Sequence, residues 1–371
     1  MNSSAVAFWV GVLAWASSCQ FIDAAGKTEN VFLIMSDGLR WQEVFRGAEE
    51  NLLTKSNGVR HLEKTRQKFW RNTPEARRAA LLPFIWTEIG RRGQIFGNQD
   101  KGSLAQVLNP HRFSYPGYNE TFTGSVDSRI TSNDKKANPN TNVFEWLAAK
   151  PKFRGEVALF ATWDVFPYIF NCERNHLPIW PAWENKFERR IIVPPPGVEN
   201  LMATTTPLWE ELVFDSYLFQ VALAHVEEKK PRLAFLGLGE TDEWAHERRY
   251  EYYLHAAHNV DRFVSLLWKT LQSMPQYRDK TTLIITADHG RGEGEAWTDH
   301  GAKVEGAEGI WIAILGPDTA PLGERSRIDP VSQSQTAATI AALLGEDFGA
   351  AFPRAGRPIE TGSPEAPKRQ P

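Results

Sequence analysis

Six side chains able to hold a metal ion are spread along this chain: Asp37, Asp242, His246, Asp288, His289 and His300. One hydroxyl, Ser114, stands among them in the sequence. Each sits where an apolar run gives way to a turn or a helix start. Carboxylate oxygens and imidazole nitrogens suit Zn²⁺ or Mn²⁺, and six are enough for two ions with three ligands each. Two ions about 4 Å apart form a clamp for in-line displacement at phosphorus. The chemistry to expect is two-metal cleavage of a phosphate ester.

The motifs differ in weight. Asp242 and His246 are four residues apart in Thr-Asp-Glu-Trp-Ala-His, which puts both on one face of a helix, although such pairs are common on surfaces. Asp288-His289-Gly290 follows the β-branched run Thr-Thr-Leu-Ile-Ile-Thr, so adjacent ligands can converge as the chain turns. Asp299-His300-Gly301 adds another imidazole, with Asp299 readable as its orienting partner or as a plain turn residue. Ser114 lies in Phe-Ser-Tyr-Pro-Gly-Tyr-Asn, between Pro110 and Gly117. An unassisted serine is a poor nucleophile, and a divalent cation would supply the alkoxide without a general base. Taken alone, Ser114 reads as a turn serine, and its order among the ligands gives it weight.

These residues need elements to position them. Asn30–Ser36 is a continuous apolar run ending in Asp37-Gly38, the pattern of a fully buried strand. Similar runs recur at Glu156–Thr162, Arg232–Leu238, Thr281–Ala287 and Gly309–Leu315. Helical periodicity fills Pro207–Glu228, Glu247–Met274 and Val331–Leu344. Buried strands alternating with helices predict an α/β fold with a parallel sheet covered on both faces. The ligand site of such a sheet lies beyond the carboxyl ends of its strands, where Asp37, Asp242, Asp288 and His289 fall. Leu52–Leu82 reads as a charged, broadly helical surface excursion. Trp163–Pro196, rich in Trp, Pro and Phe, reads as an irregular insertion that either walls the substrate or packs on the core.

The 371 residues, 42% hydrophobic, suffice for one large domain or two small ones. A net charge of -3 gives no basic surface for nucleic acid, so no nucleic-acid polymer is expected as partner. With only Cys19 and Cys172 there is neither a disulfide framework nor a thiolate metal cluster. Ala5–Trp15 is an apolar run of signal-peptide length, too short to span a membrane comfortably, although no Lys or Arg precedes it. Ala14-Trp15-Ala16 fits a cleavage signature, and Ala16-Ser17-Ser18-Cys19 resembles a weak lipobox that would put a lipid on Cys19. The organisation expected is a signal at 1–25, a catalytic domain at 26–350 and a disordered tail at 351–371, exported to the periplasm or beyond.

In the order Asp37, Ser114, Asp-x-x-x-His, Asp-His-Gly and a final His, the chain resembles the alkaline phosphatase superfamily over roughly Asn30–Leu344. The resemblance implies a three-layer sandwich with a mostly parallel sheet and helices on both faces. It implies one metal held by Asp242, His246 and His300, and a second held by Asp37, Asp288 and His289. Ser114 would reach the second metal and form a phosphoseryl intermediate. Ser114-Tyr115-Pro116 and Thr123-Gly124 are similar to the phosphodiesterase branch, in which an Asn some twenty residues on binds non-bridging oxygens. Asn133 matches that position, with Asn138 and Asn119 as competitors. Lys135, Lys136 and Arg129 are candidate clamps that read more readily as exposed loop charges, and Asp164, after a predicted strand, could touch substrate but carries no assigned role. His111, His176, His255 and His258 have no assigned role. Asn119-Glu120-Thr121 is a glycosylation sequon only in a glycosylating host.

The departures shape the alternatives. Sulfatases make formylglycine from a C/S-x-P-x-R pattern, and here Tyr118 stands where the arginine would. The short Asp288–His300 spacing is similar to the phosphoglycerate and phosphopentose mutase branch, although an exported mutase would be cut off from cytosolic substrates. The expected substrate is therefore a small phosphate ester, with phosphomutase and then sulfatase as alternatives. A non-catalytic binding protein on the same scaffold would have no need of all seven groups.

Overall fold

The structure is a computed structural model that describes residues 26–181, 183 and 192–362. The apolar N-terminal run and Cys19 lie outside the described residues. Among the described residues there are ten strands: β1 (Asn30–Ser36), β2 (Gln94–Phe96), β3 (Ala105–Gln106), β4 (Val157–Ala161), β5 (Ile179–Pro181), β6 (Leu233–Leu238), β7 (Thr281–Thr286), β8 (Ile312–Leu315), β9 (Gly323–Glu324) and β10 (Val331–Ser332). Eight of them form one sheet in the order β5-β4-β6-β1-β7-β8-β2-β9, and β3 pairs with β10 apart from it. Every residue of β1, β4, β6, β7 and β8 is buried, as near-continuous apolar strands in a covered sheet must be. The fold is α/β with a mostly parallel sheet and helices around it, as the strand and helix runs predict.

The order of strands explains the site. Strand β1 lies between β6 and β7 and runs parallel to both, so the three chains leave the sheet side by side at one edge. Asp37 follows β1, the Glu240–His246 helix follows β6, and Asp288 follows β7. Residues 200 or more apart in sequence thus meet within neighbouring strand spacings of about 5 Å.

Three details sharpen the expected picture. Strand β8 is antiparallel to β7, because the chain that leaves β7 builds the site loop at the carboxyl edge and re-enters the sheet from that same edge. The Trp163–Pro196 stretch is not wholly irregular. It contains short helices at Phe166–Ile169 and Cys172–Asn175, and its β5 extends the sheet beside β4. The Leu52–Leu82 stretch carries helices Leu62–Phe69 and Pro74–Leu81. Within the stretch expected to be disordered, residues as far as Thr361 are tied to the body. Gly356 N donates to Gly124 O at 2.9 Å, and Ile359, itself buried, donates to Thr339 Oγ1 at 2.9 Å. Among the described residues no helix is long and apolar enough to cross a membrane.

Candidate metal centre

Asp37 turns inward at the end of β1 because its own backbone is fastened to the next strand: its N–H donates to Leu238 O at 2.8 Å and its carbonyl accepts from Thr241 Oγ1 at 2.5 Å. The residue after it must fold back sharply, and Gly38 does so at φ +57° while its N–H donates to Asp288 Oδ1 at 3.1 Å. Asp288 and His289 are completely buried, Asp37 nearly so. His289 Nε2 lies 3.2 Å from Asp37 Oδ1 and 3.5 Å from Asp288 Oδ2. Its other nitrogen, Nδ1, is 2.9 Å from Gly290 O, which fixes that nitrogen as the N–H when the ring is neutral and leaves Nε2 as a lone pair.

The geometry at these three atoms is close without being hydrogen bonded: Asp37 Oδ1, Asp288 Oδ2 and His289 Nε2 are all buried without a hydrogen-bond partner. Buried electron-rich atoms left unpaired in one spot are costly unless a cation or a proton joins them. Burial and the neighbouring Asp37 charge push Asp288 up to about 8. Burial opposes the charged form of His289, yet Asp288 and Asp37 raise it to about 9. The donor set fits a divalent ion.

A second group adjoins the first. Asp242 and His246 occupy one face of the Glu240–His246 helix, with Asp242 Oδ2 3.1 Å from His246 Nε2. His300 Nε2 lies 3.0 Å from His246 Nε2 and 3.8 Å from Asp242 Oδ1. The His300 ring stacks on His289 at 4.0 Å between centroids, so ligand atoms of Asp242, His289 and His300 also lie within reach of one ion. Burial, then the His289 charge, holds both His246 and His300 below the usual imidazole range, and neutral imidazole is the form that ligates metal. Of the two readings of Asp299, no hydrogen bond to His300 supports the orienting partner. His300 Nδ1 lies 3.3 Å from Arg112 O, a carbonyl aimed by the left-handed backbone of Arg112 (φ 53°), while the Asp299 carboxylate accepts from Thr298 Oγ1.

Ser114 opens the helix Ser114–Thr123, which lies against the first group. Gly117 on that helix sits so close to Asp288 that a Cβ there would fall 2.3 Å from Asp288 O. Tyr118 OH donates to Asp37 Oδ2 at 3.0 Å. Burial, then Asp288 and Asp37, holds this phenol well above its ordinary range, so it stays a donor. Ser114 is one turn before Tyr118, on the same side of the helix.

Of the candidate asparagines, Asn119 and Asn138 are consumed in buried packing, with Asn138 Nδ2 donating to Asn119 Oδ1 at 3.1 Å. Asn133 instead accepts from the Tyr115 N–H at 3.0 Å, beside the serine. The burial of Asn119 and Thr121 also removes the sequon from the surface. The loop cations are engaged: Arg129 with Asp127, Lys136 with Asp134 and Lys135 with Asp164. His255 and His258 pack edge-on against Phe69.

Residues 208–348 match the family model described as Metalloenzyme superfamily, a stretch holding Asp242, His246, Asp288, His289 and His300. No curated protein matches the sequence. Among solved structures, a quadruple mutant of the alkaline phosphatase PafA aligns over 90% of this chain and 98% of its own at 12% identity, TM-score 0.57. The chain has the alkaline phosphatase superfamily fold. A phosphonate monoester hydrolase from Silicibacter pomeroyi aligns over 91% of this chain and 78% of its own, at 15% identity and TM-score 0.53. A putative sulfatase from Bacteroides thetaiotaomicron covers 90% and 72%, at 14% and 0.50.

Within this superfamily fold, sequence reasoning missed Tyr118, Arg112 and Arg291. Tyr118 carried a usable signal, lying four residues after Ser114. Arg112 acts through its backbone, which no side-chain pattern reveals. Arg291, next after Asp288-His289-Gly290, is completely buried and touches Asp242.

Proposed function

We propose that the protein is a metal-dependent hydrolase of phosphate esters with Ser114 as nucleophile and a phosphoseryl intermediate. The reading rests on one observation: three unpaired buried atoms, Asp37 Oδ1, Asp288 Oδ2 and His289 Nε2, converge under the helix that begins at Ser114. Asp37, Asp288 and His289 would hold one ion and Asp242, His246 and His300 a second, and three carboxylates with three imidazoles suit Zn²⁺ best, with Mn²⁺ next. Divalent ions there would acidify the serine hydroxyl and offset charge growing on the non-bridging oxygens.

The chain's own groups supply position. Ser114 Oγ, its proton passed to water, attacks in line, its O–P bond forming as the ester O–P bond breaks, and the departing oxygen takes a proton from water to leave as the alcohol. Tyr118 keeps Asp37 aimed at the cluster. Asn133, its carbonyl oxygen already engaged by the Tyr115 N–H, has its amide N–H₂ to offer a non-bridging oxygen. Water then cleaves the phosphoserine and frees Ser114.

Phosphate is favoured over sulfate by Tyr118, which holds the position of the sulfatase arginine and is committed to Asp37. The sulfatase-named neighbour supports the other reading, and the compact Asp288–His300 spacing supports phosphate transfer within a substrate. The test compares nitrophenyl phosphate, bis-nitrophenyl phosphate and nitrophenyl sulfate after chelation and after restoring Zn²⁺ or Mn²⁺. Metal-restored release of nitrophenol from a phosphate is expected. Preferred cleavage of the sulfate, or turnover indifferent to metal, would overturn the proposal.

A further inference from the structure

Arg291 is a full cation placed inside a cluster built to hold cations, and its side chain is completely buried. Nη2 contacts Asp242 Oδ1 and also lies 3.2 Å from the Asp242 backbone carbonyl. Nη1 contacts Thr298 O, two residues before His300. One planar fork therefore spans two chain segments that each contribute a ligand: the helix carrying Asp242 and His246, and the loop carrying His300. The space for it is cleared by Gly38, where a Cβ would fall 2.8 Å from both Arg291 Nε and Asp242 Oδ1. The loop is anchored a second time by Arg40, whose Nη1 donates to Gly292 O at 3.1 Å.

Burying a guanidinium is costly unless its hydrogen bonds do something for the fold or the site. Here they occupy one Asp242 oxygen and leave Oδ2 beside His246 Nε2. We infer that Arg291 is a positioning residue for the metal group Asp242, His246 and His300: it fixes the rotamer of Asp242, with Oδ2 beside His246 Nε2 and the Arg291-bound Oδ1 3.8 Å from His300 Nε2, and it sets the separation of Asp242 from the His300 loop. The inference rests on the metal reading of the site, but it concerns the binding of the ion and not the ester cleaved. Lysine cannot substitute fully, because a single ammonium cannot reach the Asp242 carboxylate, its carbonyl and Thr298 O together.

The test measures Zn²⁺ alone on chelator-stripped full-length protein, by competition with a chromogenic chelator and by metal content, together with the thermal midpoint of the stripped protein. R291M is expected to weaken one class of bound Zn²⁺ by about 10- to 100-fold, the usual effect of removing a partner of a ligating carboxylate, with R291K intermediate. Unchanged affinity in both variants overturns the assignment, as does tighter binding once the positive charge is gone. A lowered midpoint with unchanged affinity also overturns it, since that is the mark of a purely structural arginine. Should R291M fail to fold, R291K carries the same comparison. Wild-type protein that takes up no Zn²⁺ would overturn the metal reading itself, whereas wild-type uptake that both variants reproduce sinks only the role of Arg291.

Discussion

Ser114 and Tyr118 stand one turn apart on one helix, and in the proposed mechanism they divide the work between reaction and placement. The hydroxyl of Ser114 is the group with no structural duty assigned among the bonds around it, whereas Tyr118 is bonded to Asp37. Ser114→Ala should therefore lower kcat at least about a thousandfold while metal content stays at the wild-type level. Turnover near wild type in that variant, read with nitrophenyl phosphate, would remove serine from the mechanism. At this scale the sequence was most legible where a residue's chemistry acts directly: Asp37, Asp242, His246, Asp288, His289 and His300 are all drawn together. It was least legible where a residue acts on another residue, as Arg291 does on Asp242 and the Arg112 carbonyl does on His300.

Elements place these side chains by contact between backbones. The Ser114–Thr123 helix can press onto the Asp288 carbonyl only because position 117 has no side chain, and backbone cannot yield as a flexible side chain would. Gly117→Ala is expected to cost about 1–3 kcal/mol as an overpacked contact, and to lose most activity because Ser114 and Tyr118 move with the helix. Gly197→Ala, in the helix Pro196–Thr204 with nothing within 4 Å of its built Cβ, is the control and should be neutral or slightly stabilising. Chemical denaturation and kcat of the two variants check this, and equal behaviour would refute the close-approach argument. The carrier helix of Asp242 has its own anchor, since buried Asp215 Oδ1 accepts from Gly239 N at 2.8 Å and Glu240 N at 3.3 Å. Such partners come from 24 residues away or more, and local periodicity has no access to them.

Across the whole molecule, one buried carboxylate far from the ligands should leave a mark on stability. Asp261, on the long helix Tyr250–Ser273, accepts from Ile85 N at 2.8 Å and Phe84 N at 2.9 Å, and burial pushes it up to about 6 despite those bonds. Its folded value lies above its ordinary one near 3.8, so the folded state holds the proton more tightly. The stability this gives is present below about pH 4 and is lost as pH rises through 6. Relative to Asp261→Asn, the wild type should lose up to about 3 kcal/mol between pH 4 and pH 7, measured by urea denaturation at both values. A constant difference would show that Asp261 titrates normally. What the sequence by itself determined was the alternation of buried strands with helices, the residue types of the ligands and their place at strand ends, because these follow from local hydrophobic patterning and from chemistry carried by single side chains. Which strands are neighbours, and so which ligands meet, was decided only in three dimensions. The order β6-β1-β7 sets Asp242, Asp37 and Asp288 side by side, and the reversal of β8 follows the path of the site loop. Strand order, close backbone approach and the burial of Arg291 depend on contacts between distant segments, and those come into being only when the sheet assembles.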